Sequence, residues 1–156
     1  MIMLVIIIII IIMIIIIIII IIIILKSIII ALFVITDDIC RKHKVTKIET
    51  VAEEYVACVG VTPSDQEVNN DPGRGHSVLL DGLLKASEEI LALQEKVVQG
   101  DKVKFKMGLH TGDIVAGVIG SKLPRFRLFG NTINTAARMM QKGEPGTVQF
   151  GLETRK

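Results

Sequence analysis

The sequence has no tryptophan, a single tyrosine and only two cysteines, and its first 25 residues carry neither a charge nor a polar side chain. Each shortage removes a class of protein. Cys40 and Cys58 form no Cys-x-x-Cys pair and no metal-ligand spacing, so they read as reduced thiols of a cytosolic domain, not a disulfide framework. Aromatics make up 4% of the chain and the net charge is +2, with no basic run interleaved with aromatics, so nucleic-acid binding finds no support. No internal repeat recurs, and 156 residues suffice for one domain of ordinary size.

What is present is unevenly distributed. Residues 1–25 contain nineteen isoleucines, and every charge lies from Lys26 onward. As a helix this run would reach roughly 37 Å, enough for a hydrocarbon core of ~30 Å. Lys26, Arg41, Lys42, Lys44 and Lys47 would then hold the C-terminal part on the cytoplasmic side. A signal peptide fits less well, because no basic segment precedes the run and no small-residue cleavage site comes after it. Two readings stand: a single membrane-spanning segment, or a low-complexity run without a selected role. Outside a membrane the run would be prone to aggregate, since isoleucine favours strands and no charge interrupts it. The organisation expected is an isoleucine tract over 1–25 and a soluble domain over 26–156.

Within the second part, apolar Leu32, Phe33, Ile35 and Ile39 with basic Arg41, Lys42 and His43 behind them predict a helix over 31–43. Next come a β-branched strand over 47–51, an antiparallel partner over 55–61, and a loop over 62–75 rich in Pro, Ser, Asp, Asn and Gly. Leu83, Ile90 and Val97 recur every seven residues beside Leu84, Leu91 and Val98, predicting a helix over 76–98 that Gly100-Asp101 ends. Strands are expected over 103–109 and 113–119 with a turn at Thr111-Gly112, and another over 125–129. A helix over 131–141, capped by Asn131 or Thr132, is stopped by Gly143 and Pro145-Gly146 before a strand over 147–150. Adjacent strand pairs alternating with helices imply an α+β architecture: a mostly antiparallel sheet with helices on one face, preceded by an N-terminal hydrophobic helix.

The segment with most chemical content runs Met107-Gly108-Leu109-His110-Thr111-Gly112, then Ile114 to Gly120, then Pro124-Arg125-Phe126-Arg127-Leu128-Phe129-Gly130-Asn131-Thr132-Ile133-Asn134-Thr135-Ala136-Ala137-Arg138-Met139. It reads as a glycine-punctuated hairpin, a strand and a capped helix. Asn134 and Arg138, spaced i, i+4, share one helical face. A guanidinium is a planar, permanent charge suited to a phosphate gaining charge, and an amide can hold a sugar oxygen in line. The plainer alternative is that both belong to the solvated face of a surface helix.

This segment resembles the class III adenylyl and guanylyl cyclase catalytic domain, whose motif order runs from the hairpin glycines through the phenylalanine-glycine turn to the asparagine and arginine. The resemblance is specific over 107–139, fair at Lys47-Ile48-Glu49-Thr50 and around Tyr55, and weak over 62–75. It implies a ferredoxin-like fold and a site between two catalytic domains, as a homodimer or heterodimer. The implied reaction is attack of the ribose 3′-hydroxyl on the α-phosphate with release of pyrophosphate, a phosphorus–oxygen lyase reaction. Asn134 would orient the ribose and Arg138 would stabilise the pentavalent phosphate.

The resemblance also places the base contacts. Glu49 stands where guanylyl members carry glutamate and adenylyl members lysine. A carboxylate only accepts hydrogen bonds, and guanine offers donors at N1 and N2 whereas adenine N1 accepts. GTP is therefore favoured over ATP. The second base position falls on Arg127, where guanylyl members usually have cysteine and adenylyl members aspartate. An arginine could donate to guanine O6, crowd the pocket, or pair with Glu49; Glu49 could alternatively be an exposed strand carboxylate paired with Lys47 or a neighbour.

The family uses two Mg²⁺ or Mn²⁺ ions held by two aspartates. At the second aspartate position stands Glu53, after Ala52 in place of glycine, and the longer side chain shifts the oxygens by about an ångström, a scale that can lower rates ~100-fold. Asp38, in Thr36-Asp37-Asp38-Ile39, lies fifteen residues before Glu53, too close for the first aspartate, so Asp37 and Asp38 are expected as helix-surface carboxylates. The first metal-bearing strand, and at the other end the last strands and a triphosphate-contacting lysine, have no counterpart. Three readings stay open: an incomplete guanylyl cyclase, inactive alone; a non-catalytic subunit that dimerises with an intact partner and supplies Asn134 and Arg138; or a membrane-tethered remnant without activity.

Overall fold

The computed structural model describes residues 2–70, 75–95 and 103–155. The chain divides into two compact units, Met1–Thr36 and Asp37–Lys156.

The first unit is helical. Helix α1 (Ile2–Lys42) runs without a break through the isoleucine tract and the helix expected over 31–43. Nothing between Leu25 and Ala31 can interrupt it: there is no proline or glycine, and Ser27 returns its hydroxyl to the Ile23 carbonyl at 3.0 Å. Ile10 to Ile24 stay about half exposed on every side, so this stretch has no polar face. It is long and apolar enough to cross a membrane, with a mean hydropathy of 3.6 over the best stretch within Ile10–Lys42.

In the second unit α1 ends at a Schellman turn. Lys44 adopts the left-handed conformation (φ +57°), Val45 N–H donates to the Cys40 carbonyl at 2.8 Å, and Lys44 N–H reaches that of Arg41 at 3.3 Å. The turn seats Val45 beside Ile39 and Cys40, where all three are buried together with Ala86. Around them pack Tyr55, Ala57 and Val59 from one side and Leu83, Ile90 and Leu93 from the other. Leu83, Ala86, Ile90 and Leu93 form the inward stripe of helix α3 (Gly75–Ala92) and the 3₁₀ turn that extends it (Leu93–Glu95). Leu84, expected beside Leu83, is exposed. Residues 96–102, including Val97, Val98 and Gly100-Asp101, lie outside the described residues.

Strands β1 (Thr46–Val51) and β2 (Glu54–Cys58) form an antiparallel hairpin with a two-residue turn, Ala52-Glu53. Ala52 takes φ +52°, which accounts for a preference for glycine at this position. The second strand ends at Cys58, not at 61, because Thr62 caps a helix. Helix α2 (Pro63–Asn69) occupies much of the stretch expected as loop. Its signal is local: Thr62-Pro63-Ser64-Asp65 is a capping box with proline at the first helical position, and Asp65 accepts from the Gly60 and Thr62 backbones at 3.1 and 3.2 Å. Residues 71–74 lie outside the described residues.

The expected hairpin over 103–119 is not formed. Strand β3 (Lys106–Leu109) pairs parallel with β6 (Thr147–Phe150), while β4 (Val115–Ile119) pairs antiparallel with β5 (Arg125–Phe129). A parallel pair needs a crossover, and helix α4 (Asn131–Lys142) supplies it. Glycine permits its close approach: a Cβ on Gly108 would meet the Met140 nitrogen at 2.5 Å and the Ala136 carbonyl. Among the described residues the strands therefore form three two-stranded ladders, two of them antiparallel. A short helix α5 (Leu152–Arg155) closes the chain.

Candidate functional site

Ordinary strand alternation would place Lys47 and Glu49 on one face. The β1–β2 register slips between them, Lys47 opposing Ala57 and Glu49 opposing Val56, so that Ile48 is an extra residue. Such a bulge re-aims the side chains beyond it. Lys47 turns to Asp37 at 2.8 Å and lies over the Tyr55 ring at 5.1 Å. Glu49 turns to β5 instead, where its Oε2 lies 3.2 Å from Nη2 of Arg127. The alternative in which Glu49 pairs with Lys47 is thus replaced by an ion pair with the other residue assigned to base recognition.

This pair lies in a cleft of about 640 Å³ lined by Ile48, Glu49, Thr50, Val51, Ala52, Arg125, Phe126 and Arg127. The Glu49 side chain is 24% exposed and that of Arg127 43%, so both stay accessible from the cleft. Thr50, Arg125 and Phe126 carry no chemical signature in the sequence. Their signal is positional: Thr50 adjoins Glu49 and Phe126 adjoins Arg127, and Arg125 lies two residues before Arg127 on the same strand.

Helix α4 begins behind Gly130, whose φ of +131° is readily reached only without a Cβ. Neither Asn131 nor Thr132 caps it. Thr132 sends its hydroxyl to the Asp113 carbonyl at 2.6 Å and pins the first turn to the segment before β4. With Ala136, Met139 and Met140 against Gly108, the helix leaves Asn134, Arg138 and Gln141 on an exposed stripe. Asn134 and Arg138 make no side-chain hydrogen bond or ion pair among the described residues, so amide and guanidinium are both available.

The candidate metal position is poorer. Glu53 is exposed in the β1–β2 turn, and among the described residues no group of three His, Cys, Asp or Glu side chains could hold a metal ion. Asp38 is exposed and pairs with Arg41 at 3.0 Å, as a helix-surface carboxylate should. Asp37 does not fit that description. It is half-buried and accepts from Tyr55 at 2.6 Å as well as from Lys47, because the hairpin folds back onto this end of α1. Burial, and then the hydrogen bond to Asp37, push the Tyr55 phenol well above the ordinary tyrosine range. The described residues therefore do not fit a two-ion site: one exposed carboxylate, a methylene longer than aspartate, is not a cage for hard divalent cations.

Three ladders with α4 as crossover define an α+β frame of the cyclase type, and the comparisons with known proteins agree. The adenylate and guanylate cyclase catalytic domain model matches residues 22–156, and the chain belongs to that family. It is 31% identical over 127 residues to receptor-type guanylate cyclase gcy-6 of Caenorhabditis elegans, covering 81% of this chain and 11% of the relative. It is 34% identical over 114 residues to guanylate cyclase soluble subunit beta-2 of Rattus norvegicus, covering 73% and 16%. The chain thus spans a small part of the length of these curated relatives. Among solved structures it resembles the guanylate cyclase domain of RhGC from Catenaria anguillulae in complex with GTP, with a TM-score of 0.67 and 25% identity over 80% of this chain and 63% of that one.

Proposed function

We propose that this chain supplies the guanine-reading and phosphate-stabilising half of a nucleotide cyclase site that converts GTP to cyclic GMP and pyrophosphate. The observation that carries this reading is the meeting of Glu49 and Arg127 across one cleft from strands far apart in sequence. Glu49 would accept from guanine N1–H and Arg127 would donate to O6, whereas adenine presents the opposite polarity to each. That ranks GTP above ATP. Asn134 would hold the ribose so that its 3′-oxygen faces the α-phosphate, and Arg138 would offset the charge gained there as pyrophosphate leaves.

Glu53, exposed in its turn and a methylene longer than the aspartate it replaces, favours the subunit reading over a self-sufficient enzyme. A second cyclase domain would bring the metal-binding aspartates, and this chain would bring Asn134 and Arg138. The name of the rat relative, a subunit, is in keeping with such an arrangement. Helix α1 would anchor the assembly in a membrane, with residues 26–156 on the cytoplasmic side.

The test is complementation. The full chain is mixed with a partner cyclase domain that keeps its metal aspartates but lacks its own arginine. Cyclic GMP should form, and Arg138→Ala in this chain should lower it ~100–1,000-fold. If no activity is rescued at any mixing ratio, the subunit reading is rejected.

A further inference from the structure

We infer that strands β2 and β3 flank an open strand position, and that an extended segment of a second polypeptide, pairing with both strands at once, completes the sheet there.

Strand β1 is bordered by its ladder partner β2 and by β5, which it meets where Glu49 reaches Arg127. Strand β3 pairs with β6. Among the described residues no ladder forms on the second edge of β2 or of β3. Helix α3 relates these two edges. It starts beside the end of β2, where a Cβ on Gly60 would lie 3.9 Å from Leu79. It runs into the 3₁₀ turn whose Gln94 Oε1 accepts from the Phe105 N–H at 3.1 Å, just before β3. A helix that leaves the end of one strand and returns the chain to the start of the next makes the two strands parallel members of one sheet. Yet β2 and β3 do not pair. The unit is therefore a split β-α-β, the form in which a further strand lies between the two.

Burial agrees. Tyr55, Val56, Ala57 and Cys58 of β2, and Met107, Gly108 and Leu109 of β3, are all only partly buried. This holds although α4 lies against Gly108 and the core of Ile39, Cys40, Val45 and Ala86 lies against Tyr55 and Ala57. Inner strands of a completed sheet under helices lose more surface than this. The chemistry of the position names its occupant. Each edge presents alternating N–H and C=O groups, and an extended backbone is what pairs with both rows. The flanking strands carry Val56, Ala57, Met107 and Leu109, so an uncharged, β-branched segment fits best. The described strands are already laddered, and residues 71–74 and 96–102 connect α2 to α3 and the 3₁₀ turn to β3. Strand addition from a second polypeptide is the recognition mode that such edges support.

The experiment uses the full chain in detergent micelles and a blocked peptide, Lys-Val-Thr-Val-Thr-Val-Lys, with hydrogen exchange read by mass spectrometry. At saturating peptide, amides of 54–58 and of 106–109 should both exchange about tenfold more slowly, the scale of one net hydrogen bond. Exchange in 115–119 and 125–129 should not change. Two further peptides, N-methylated at alternate positions, separate a position between two strands from an outer edge. Successive N–H groups of a strand point to opposite edges, so each of these peptides keeps the donors of one edge only. A segment held between β2 and β3 needs both rows, and the slowing should vanish with either methylated peptide. Slowing confined to one of the two segments, full slowing with one methylated peptide, or no slowing at all overturns the proposal. So does protection of both segments that rises with protein concentration in the absence of peptide, which assigns the edges to a second copy of this chain. The unsubstituted chain is measured throughout, so no variant has to fold.

Discussion

The hydroxyl of Tyr55 donates to Oδ1 of Asp37 at 2.6 Å, tying strand β2 to the last turns of helix α1. Lys47 Nζ reaches the same carboxylate from β1 at 2.8 Å, so the whole hairpin is fastened to one side chain. Removing the phenolic oxygen leaves Asp37 with its lysine partner but one charge-assisted bond short. Tyr55→Phe should lower stability by about 1–2 kcal/mol in chemical denaturation. No change within error would mean that water replaces the hydroxyl at no loss.

Gly108 lies under the backbone of α4, and an added Cβ would press on main-chain atoms of Ala136 and Met140 that cannot swing aside. Gly108→Ala should cost about 1–3 kcal/mol and lower the melting temperature. A Cβ added to Gly117, in β4, would meet nothing within 4 Å, so Gly117→Ala should be within about 0.5 kcal/mol of neutral. Equal losses at both positions would contradict the packing of α4 on β3.

Lys42 and His43 converge on Glu89, at 2.8 Å each from Oε2, and hold its carboxyl below the ordinary glutamate value of 4.5, Lys42 contributing most. A depressed carboxyl adds stability above the unfolded-state value, and that stability is lost as pH falls through the lower folded value. Unfolding midpoints measured from about pH 6 to 3 should therefore drop below about pH 4.5, more steeply in the wild type than in Glu89→Gln. Parallel curves would show that the cluster contributes nothing to acid sensitivity.

Cys58 is half-buried, and burial, aided by the nearby Asp65 carboxylate, pushes its thiol up to about 12. The thiolate is the reactive form, so at neutral pH Cys58 should alkylate far more slowly in the folded chain than in denaturant. Mass spectrometry after a short iodoacetamide pulse would show it. Full labelling of the native protein within that pulse would refute the assignment.

Helix α1 has no polar face through the isoleucine tract, so expressed protein should sediment with membranes and resist extraction by high salt or carbonate. Recovery in the soluble fraction rules out the anchor.

Much of the architecture is legible in the sequence because local signals are strong. Arg125 to Phe129, the helix from Asn131 and the strand from Thr147 to Phe150 sit where the pattern puts them, each bounded by a glycine or proline that ends it. Helix α2 escapes a reading by composition although Thr62-Pro63-Ser64-Asp65 announces it, because a stretch dense in loop-forming residues masks a capping box. Strand pairing eludes the pattern for a different reason. Thr111-Gly112 is a sound turn, but a turn does not choose partners, and β3 meets β6 only once α4 has carried the chain across.

By itself the sequence determined the family, the apolar N-terminal helix and the i, i+4 placement of Asn134 and Arg138, since motif order, composition and helical period are properties of adjacent residues. Only the tertiary structure decided where Glu49 points and what Arg127 does. A one-residue bulge at Ile48 reverses the alternation of a strand, and whether two distant strands then bring a carboxylate and a guanidinium to 3.2 Å depends on packing that no local pattern encodes.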